Sequence, residues 1–156
     1  MDELRMAAAD EAAMQDCGAA CARLLAGRPA FIALRGDLGA GKTTWVRGFL
    51  RAQGHAGAVR SPTFTLVEPY RTAAGAVNHF DLYRVEDPYE LELIGIRDYF
   101  DDGSTCLVEW PERGAGMLPG SDLTITITLA AGGRDIDLRA GSALGREILA
   151  GLAPAP

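Results

Sequence analysis

The stretch from Phe31 to Ala52 constrains this chain more than any other. A short apolar run, Phe31-Ile32-Ala33-Leu34, ends at the loop Gly36-Asp37-Leu38-Gly39-Ala40-Gly41-Lys42-Thr43. Residues 43–52 follow, with Trp45, Val46, Phe49 and Leu50 on one side of a helical pattern. A buried strand, a glycine-rich loop and a helix in that order match the pattern G-x-x-x-x-G-K-[ST]. Each part of the pattern answers a chemical need. The glycines let the backbone curl until successive N–H groups point inward at phosphate oxygens. The helix that follows adds the positive end of its dipole. Lys42 is a compact ammonium on a flexible stem, able to reach β- and γ-phosphates, and the Thr43 hydroxyl suits Mg²⁺. Lys42 is also the single lysine in the chain, since the other 14 of its 15 basic residues are Arg. The exception falls where a guanidinium fork would be too bulky. The expected nucleotide-binding set is Asp37, Leu38, Gly39, Ala40, Gly41, Lys42, Thr43 and Thr44.

Around this unit the chain reads as one domain. It has 156 residues, 48% of them hydrophobic and 23% charged, an ordinary balance for burying a core. The net charge of -6 removes any global attraction to nucleic acid, so contact with RNA would need a local basic patch or a protein intermediary. Cys17 and Cys21 sit four apart in an Ala-rich stretch and share a helix face. With Cys106 they read as buried, reduced thiols, too few for a metal site. An odd cysteine count without a signal peptide points to a reducing cytoplasm, and no run approaches a membrane span.

Residues 3–26 read as one helix ending at Gly27-Arg28-Pro29. Residues 54–62 form a loop. Strands are expected over 64–67 and 77–82, joined by a turn at 71–75, and a helix or a helix plus a turn over 88–100, broken at Asp101-Asp102-Gly103. Residues 106–108 make a short strand ending at Glu109-Trp110-Pro111. LTITITL (123–129) and RDIDLR (134–139) alternate with period two and form a hairpin around 131–133. A helix capped by Ser142 closes the domain, and residues 152–156 are a loose tail. No repeat or linker divides the chain, so residues 1–156 form a single α/β domain with a C-terminal β-hairpin.

A phosphate loop of this kind needs a carboxylate on the magnesium side. Asp81, in Asn78-His79-Phe80-Asp81-Leu82, lies at a strand end where such an acid belongs, although Asn78 and His79 interrupt the usual apolar run. The alternative is an Asp in a strand-to-loop turn. Glu109, just past a buried strand, could hold magnesium through water, position the attacking water, or simply be solvated. Ser61-Pro62-Thr63-Phe64-Thr65 is rich in hydroxyls and could meet γ-phosphate or metal like a switch segment, or be an ordinary turn. Arg84 and Arg113 are candidates for transition-state charge or plain surface residues. His79 is a base or a histidine satisfied within the sheet, and Trp110 a cover for the nucleotide or core. His55 has no context. The guanine-specifying Asn-Lys-x-Asp pattern is absent, which favours ATP.

Four blocks together, GDLGAGKTT (36–44), SPTFTLVEPY (61–70), HFDLYR (79–84) and EWPER (109–113), resemble the TsaE (YjeE) family of P-loop ATPases. That family serves threonylcarbamoyl modification of adenosine 37 in tRNA. The resemblance implies a mixed central sheet flanked by helices, adenylate-kinase-like around the loop. It implies slow, magnesium-dependent ATP hydrolysis and action through the TsaD and TsaB transferase subunits, with tRNA met only indirectly. It implies Lys42 as the phosphate lysine, Thr43, Asp81 and Glu109 as magnesium-side residues, and Thr63 as the switch-like threonine. A small-molecule kinase and a nucleotide-dependent binding module are the alternatives, and no clear lid segment supports the kinase.

Overall fold

The computed structural model describes residues 1–155. In chain order its elements are β1 (Glu3–Ala8), α1 (Glu11–Leu25), β2 (Phe31–Arg35), α2 (Lys42–Ala52), β3 (Val67–Thr72), β4 (Gly75–Asp81), α3 (Tyr89–Leu93), α4 (Ile96–Asp101), β5 (Thr105–Glu109), β6 (Leu123–Ala130), β7 (Gly133–Ala140) and α5 (Ala143–Leu152), with a 3₁₀ turn at Pro111–Gly114 after β5. All seven strands form one sheet in the order β1-β7-β6-β2-β5-β4-β3. The centre is parallel: β5 pairs with both β2 and β4, and β2 also pairs with β6. The flanks are antiparallel, β3 on β4 at one edge, and β7 on β6 and β1 on β7 at the other.

Parallel strands are buried on both faces, and the sequence of β2 reflects this. Ile32 and Leu34 join a core with Trp45, Phe49, Leu107, Ile125 and Ile148, while Phe31 and Ala33 join Phe80, Val108, Leu91 and Ile96 on the opposite face. The two-residue alternation of a strand divides the apolar run between two cores. Helices α1 and α2 meet almost backbone to backbone. A Cβ on Gly18 would land on the Trp45 carbonyl, and one on Gly48 on the Gln15 carbonyl. This contact fixes α2, and hence the loop before it, against the sheet. Cys17 and Cys21 face the same interior and, like Cys106, are buried free thiols. No helix among the described residues is long and apolar enough to cross a membrane.

Several expected boundaries move. The helix read over 3–26 is a strand and then a helix. Glu3-Leu4-Arg5-Met6-Ala7-Ala8 alternates in burial and pairs with β7, and Asp10 caps α1 by accepting from Ala13 N at 2.8 Å. Alanine richness masked that period-two signal. The strand expected at 64–67 begins only at Val67, because Pro62 opens a turn closed by Leu66 N donating to Pro62 O at 2.8 Å, and Leu66 takes a left-handed φ of 68°. Proline 69 is tolerated in β3 because this is an edge strand. The segment 88–100 is two short helices, and Asp101 closes the second instead of breaking it. Leu152 is the last residue of α5, so the tail starts one residue later than expected, and its final residue lies outside those described.

Candidate functional site

The carboxyl ends of β2, β4 and β5 open on the same edge of the sheet, the edge where ligand sites of α/β folds lie. The loop of residues 36–41 leaves β2 there. Gly36, Gly39 and Gly41 hold φ angles of 151°, 78° and 119°. At Gly36 space matters too, since a Cβ would stand 2.7 Å from the Ile127 carbonyl oxygen. Lys42 is the first residue of α2 and is buried. Its Nζ donates to the carbonyls of Gly36 and, at 3.1 Å, Asp37, and lies 4.3 Å from the centre of the Trp110 ring. Burial lowers the Lys42 pKa below the ordinary lysine value, and the negative charges of Glu109 and Asp81 oppose that shift.

The two acids arrive by register. Asp81 ends β4, Glu109 ends β5, and the two are direct neighbours across the parallel pair. Glu109 is therefore the last residue of its strand and not one beyond it. The solvated alternative fails for Glu109, which is 3% exposed, and Asp81 beside it is 4% exposed. Buried carboxylates this close must be compensated. Hydroxyls supply most of the compensation. Thr43 Oγ1 donates toward Glu109 at 3.0 Å, and Thr63 Oγ1 donates to Asp81 at 3.1 Å. Ser61 Oγ lies between the acids, hydrogen-bonded to Asp81 and 3.3 Å from Glu109 Oε2. Tyr83 N donates to the other Asp81 oxygen at 2.9 Å, and His79 Nε2 lies 2.6 Å from Glu109 Oε2.

A cavity of about 320 Å³ gathers Lys42, Thr43, Thr63, Asp81, Glu109 and Trp110. Trp110 has a left-handed φ of 58°, unusual for a bulky residue. That turn directs its ring across the cavity, over Lys42 and 5.0 Å from Tyr83. The oxygen-only set of Thr43, Asp81 and Glu109 is hard and suits magnesium better than a thiophilic metal. Among the described residues no cluster of three or more His, Cys, Asp or Glu is arranged to hold a metal by itself. Phosphate and water oxygens would have to complete the shell, as magnesium prefers.

A family model described as threonylcarbamoyl adenosine biosynthesis protein TsaE matches residues 8–136. This chain belongs to the TsaE family. The protein named tRNA threonylcarbamoyladenosine biosynthesis protein TsaE from Haemophilus influenzae is 53% identical over 116 residues, covering 74% of this chain and 73% of that relative. Its namesake from Bacillus subtilis is 42% identical over 99 residues, covering 64% of this chain and 61% of that one. The crystal structure of Bacillus subtilis YdiB superposes with a TM-score of 0.80 at 27% identity, over 94% of this chain and 90% of the other. The mixed sheet flanked by helices is thus the fold of a P-loop NTPase of the TsaE family.

Other residues of this TsaE chain sort themselves by position. His79 is fully buried and does not line the cavity, so it does not itself meet anything bound there. Arg84 stacks over the exposed Phe64 ring at 4.2 Å, and Arg113 lies 5.4 Å from the Tyr83 ring, both off the cavity wall. His55 packs on Tyr70 at 4.8 Å, away from the loop. Two features escape sequence reasoning. Arg134 of β7 donates from Nε to Ala40 O at 2.9 Å and from Nη2 to Gly39 O at 3.4 Å, bracing the phosphate loop from far along the chain. Beside it a second cavity of about 210 Å³ is lined by Asp10, Glu11, Met14, Gly41, Thr44 and Arg134. Neither has a local motif, since both depend on β1 and β7 pairing next to the loop.

Proposed function

We propose that this chain is a magnesium-dependent ATPase that serves threonylcarbamoyl modification of adenosine 37 in tRNA, acting in the cytoplasm through the TsaD and TsaB subunits. The observation that carries the reading is the convergence of Lys42 and Thr43 with two buried, neighbouring acids on one cavity. A loop that only held phosphate would have no need of paired carboxylates buried beside it. Membership of the TsaE family and the names of its relatives support the pathway.

In this reading the triphosphate lies along residues 37–44, with backbone N–H groups and the amino end of α2 facing its oxygens. Lys42 exchanges two neutral carbonyl acceptors for anionic phosphate oxygens, which hold its ammonium more strongly. The ribose and base extend into the cavity between Asp10, Glu11 and Arg134. Thr43 and Asp81 would hold magnesium, directly or through water, and the ion would supply positive charge against the phosphates. Glu109 orients the attacking water; its oxygen bonds to the terminal phosphorus as the bond to the bridging oxygen breaks, ADP leaves, and the water's proton passes to the released phosphate. Thr63 senses the terminal phosphate from the segment that it ties to Asp81. Trp110 excludes solvent from the Lys42 side.

The net charge of -6 fits a protein that reaches tRNA through protein partners. The test is ATP hydrolysis by the chain alone, with the TsaD and TsaB subunits, and with tRNA added. Slow turnover that rises with the subunits is expected. Turnover indifferent to them would detach the chemistry from the pathway.

A further inference from the structure

We propose that His79 is a positioning residue that holds the Glu109 carboxylate in its working orientation through Nε2; this rests on the reading of Glu109 as an acid of the hydrolytic site. Strand periodicity places His79 and Asp81 on one face of β4, and Leu107 and Glu109 on the matching face of β5. The register sets His79 opposite Leu107 and Asp81 opposite Glu109. His79 is therefore the diagonal neighbour of Glu109, one step deeper in the sheet, and its Nε2 reaches Glu109 Oε2 at 2.6 Å.

Two observations separate this from a histidine that merely fills the sheet. The first is that, among the described residues, Glu109 is the one hydrogen-bond partner of the His79 side chain, since the buried Nδ1 has none. A ring kept only for packing would be served as well by leucine, without the cost of an orphaned polar atom. The contact itself determines where the proton sits. An ionised carboxylate can only accept, so at 2.6 Å the hydrogen of the pair lies on Nε2. His79 is then a fixed donor aimed at Glu109.

The second observation concerns the other donors to Glu109. Thr43 and Ser61 both line the cavity, and Ser61 is shared with Asp81. Their hydroxyls are free to turn toward a ligand that enters. His79 contacts Glu109 from behind the cavity wall, out of reach of any ligand. It is the one donor to Glu109 whose geometry does not depend on what the site holds. Carboxylate–histidine supports of this kind fix side chains at reactive centres, and their loss costs activity without removing the reacting group.

The test compares His79→Leu, His79→Asn and His79→Gln in the full-length chain. A Gln side-chain nitrogen reaches about as far as Nε2 and can donate to Glu109; an Asn nitrogen stops near the position of Nδ1. His79→Leu and His79→Asn are expected to lower kcat for ATP hydrolysis roughly 10- to 100-fold. KM for ATP should stay within about threefold, because His79 touches no bound ligand. His79→Gln should recover most of the lost kcat. Wild-type kcat in His79→Leu, or a Gln variant as impaired as the Asn one, would overturn the inference. Glu109→Ala is measured beside them: if it hydrolyses ATP like wild type, the reading of Glu109 fails, and not the His79 geometry alone. Long-range ¹H–¹⁵N spectra of the wild-type protein test the point without relying on a folded variant. They should show a proton of His79 on Nε2; an Nε2 that carries no proton would contradict the proposal.

Discussion

The phosphate loop and the segment 61–66 face each other across one cavity and are held in place by different means. The loop is built by backbone. Its glycines occupy left-handed angles, Gly36 has no room for a Cβ against Ile127, α2 is locked to α1 through Gly18 and Gly48, and Arg134 ties down two of its carbonyls. The segment 61–66 is held by side chains, through the hydroxyls of Ser61 and Thr63 on Asp81, while Phe64 stands 81% exposed. A backbone-built loop keeps its shape whatever it binds. A segment held by hydroxyls on acids moves when those acids acquire another partner. On the proposed function, the cavity pairs a fixed half that would recognise phosphate with a contingent half that would report what is bound.

The largest effect should come from the fixed half. Lys42→Ala removes the one cationic side chain of the phosphate site and should weaken ATP binding by roughly 3 kcal/mol, about a hundredfold, read by calorimetric titration. Gly36→Ala should cost roughly 2 kcal/mol of folding stability in urea, from a strained φ and a clash with a backbone carbonyl. An unchanged midpoint would show that the loop is less rigidly built than the contrast requires. In the contingent half, Ser61→Ala should lower stability by only about 1 kcal/mol, while amide exchange quickens over 61–66 and stays as slow as before over 36–43. Equal quickening in both would erase the distinction. The smallest expected effect is that of Arg134→Ala, a few-fold loss of ATP affinity, because the loop keeps its other supports.

The two halves were not equally legible. The loop could be read from residues 36–43 because its conformation is set locally, by glycines in fixed order before a helix. Asp81 and Glu109 could be placed at strand ends, but their adjacency depends on the pairing of β4 with β5, and their burial on the residues above them. Ser61 looked like one hydroxyl in a turn; its place between two acids is a tertiary fact. The strand β1 hid in an Ala-rich run whose helical propensity outweighed a brief alternation, and its antiparallel pairing with β7 decided the matter. With β1 missed, Arg134 and the cavity beside Asp10 had no reason to be noticed.

The most direct measurement is phosphate release from ATP, with magnesium present, by wild type and by Glu109→Gln, with ATP affinity determined on the same samples. If the loop and the acids act as one hydrolytic site, the variant should bind ATP within about threefold of wild type and release phosphate roughly a hundredfold more slowly. A variant that binds equally well and hydrolyses at the wild-type rate would contradict the account, leaving a loop that binds nucleotide and acids that serve only the fold.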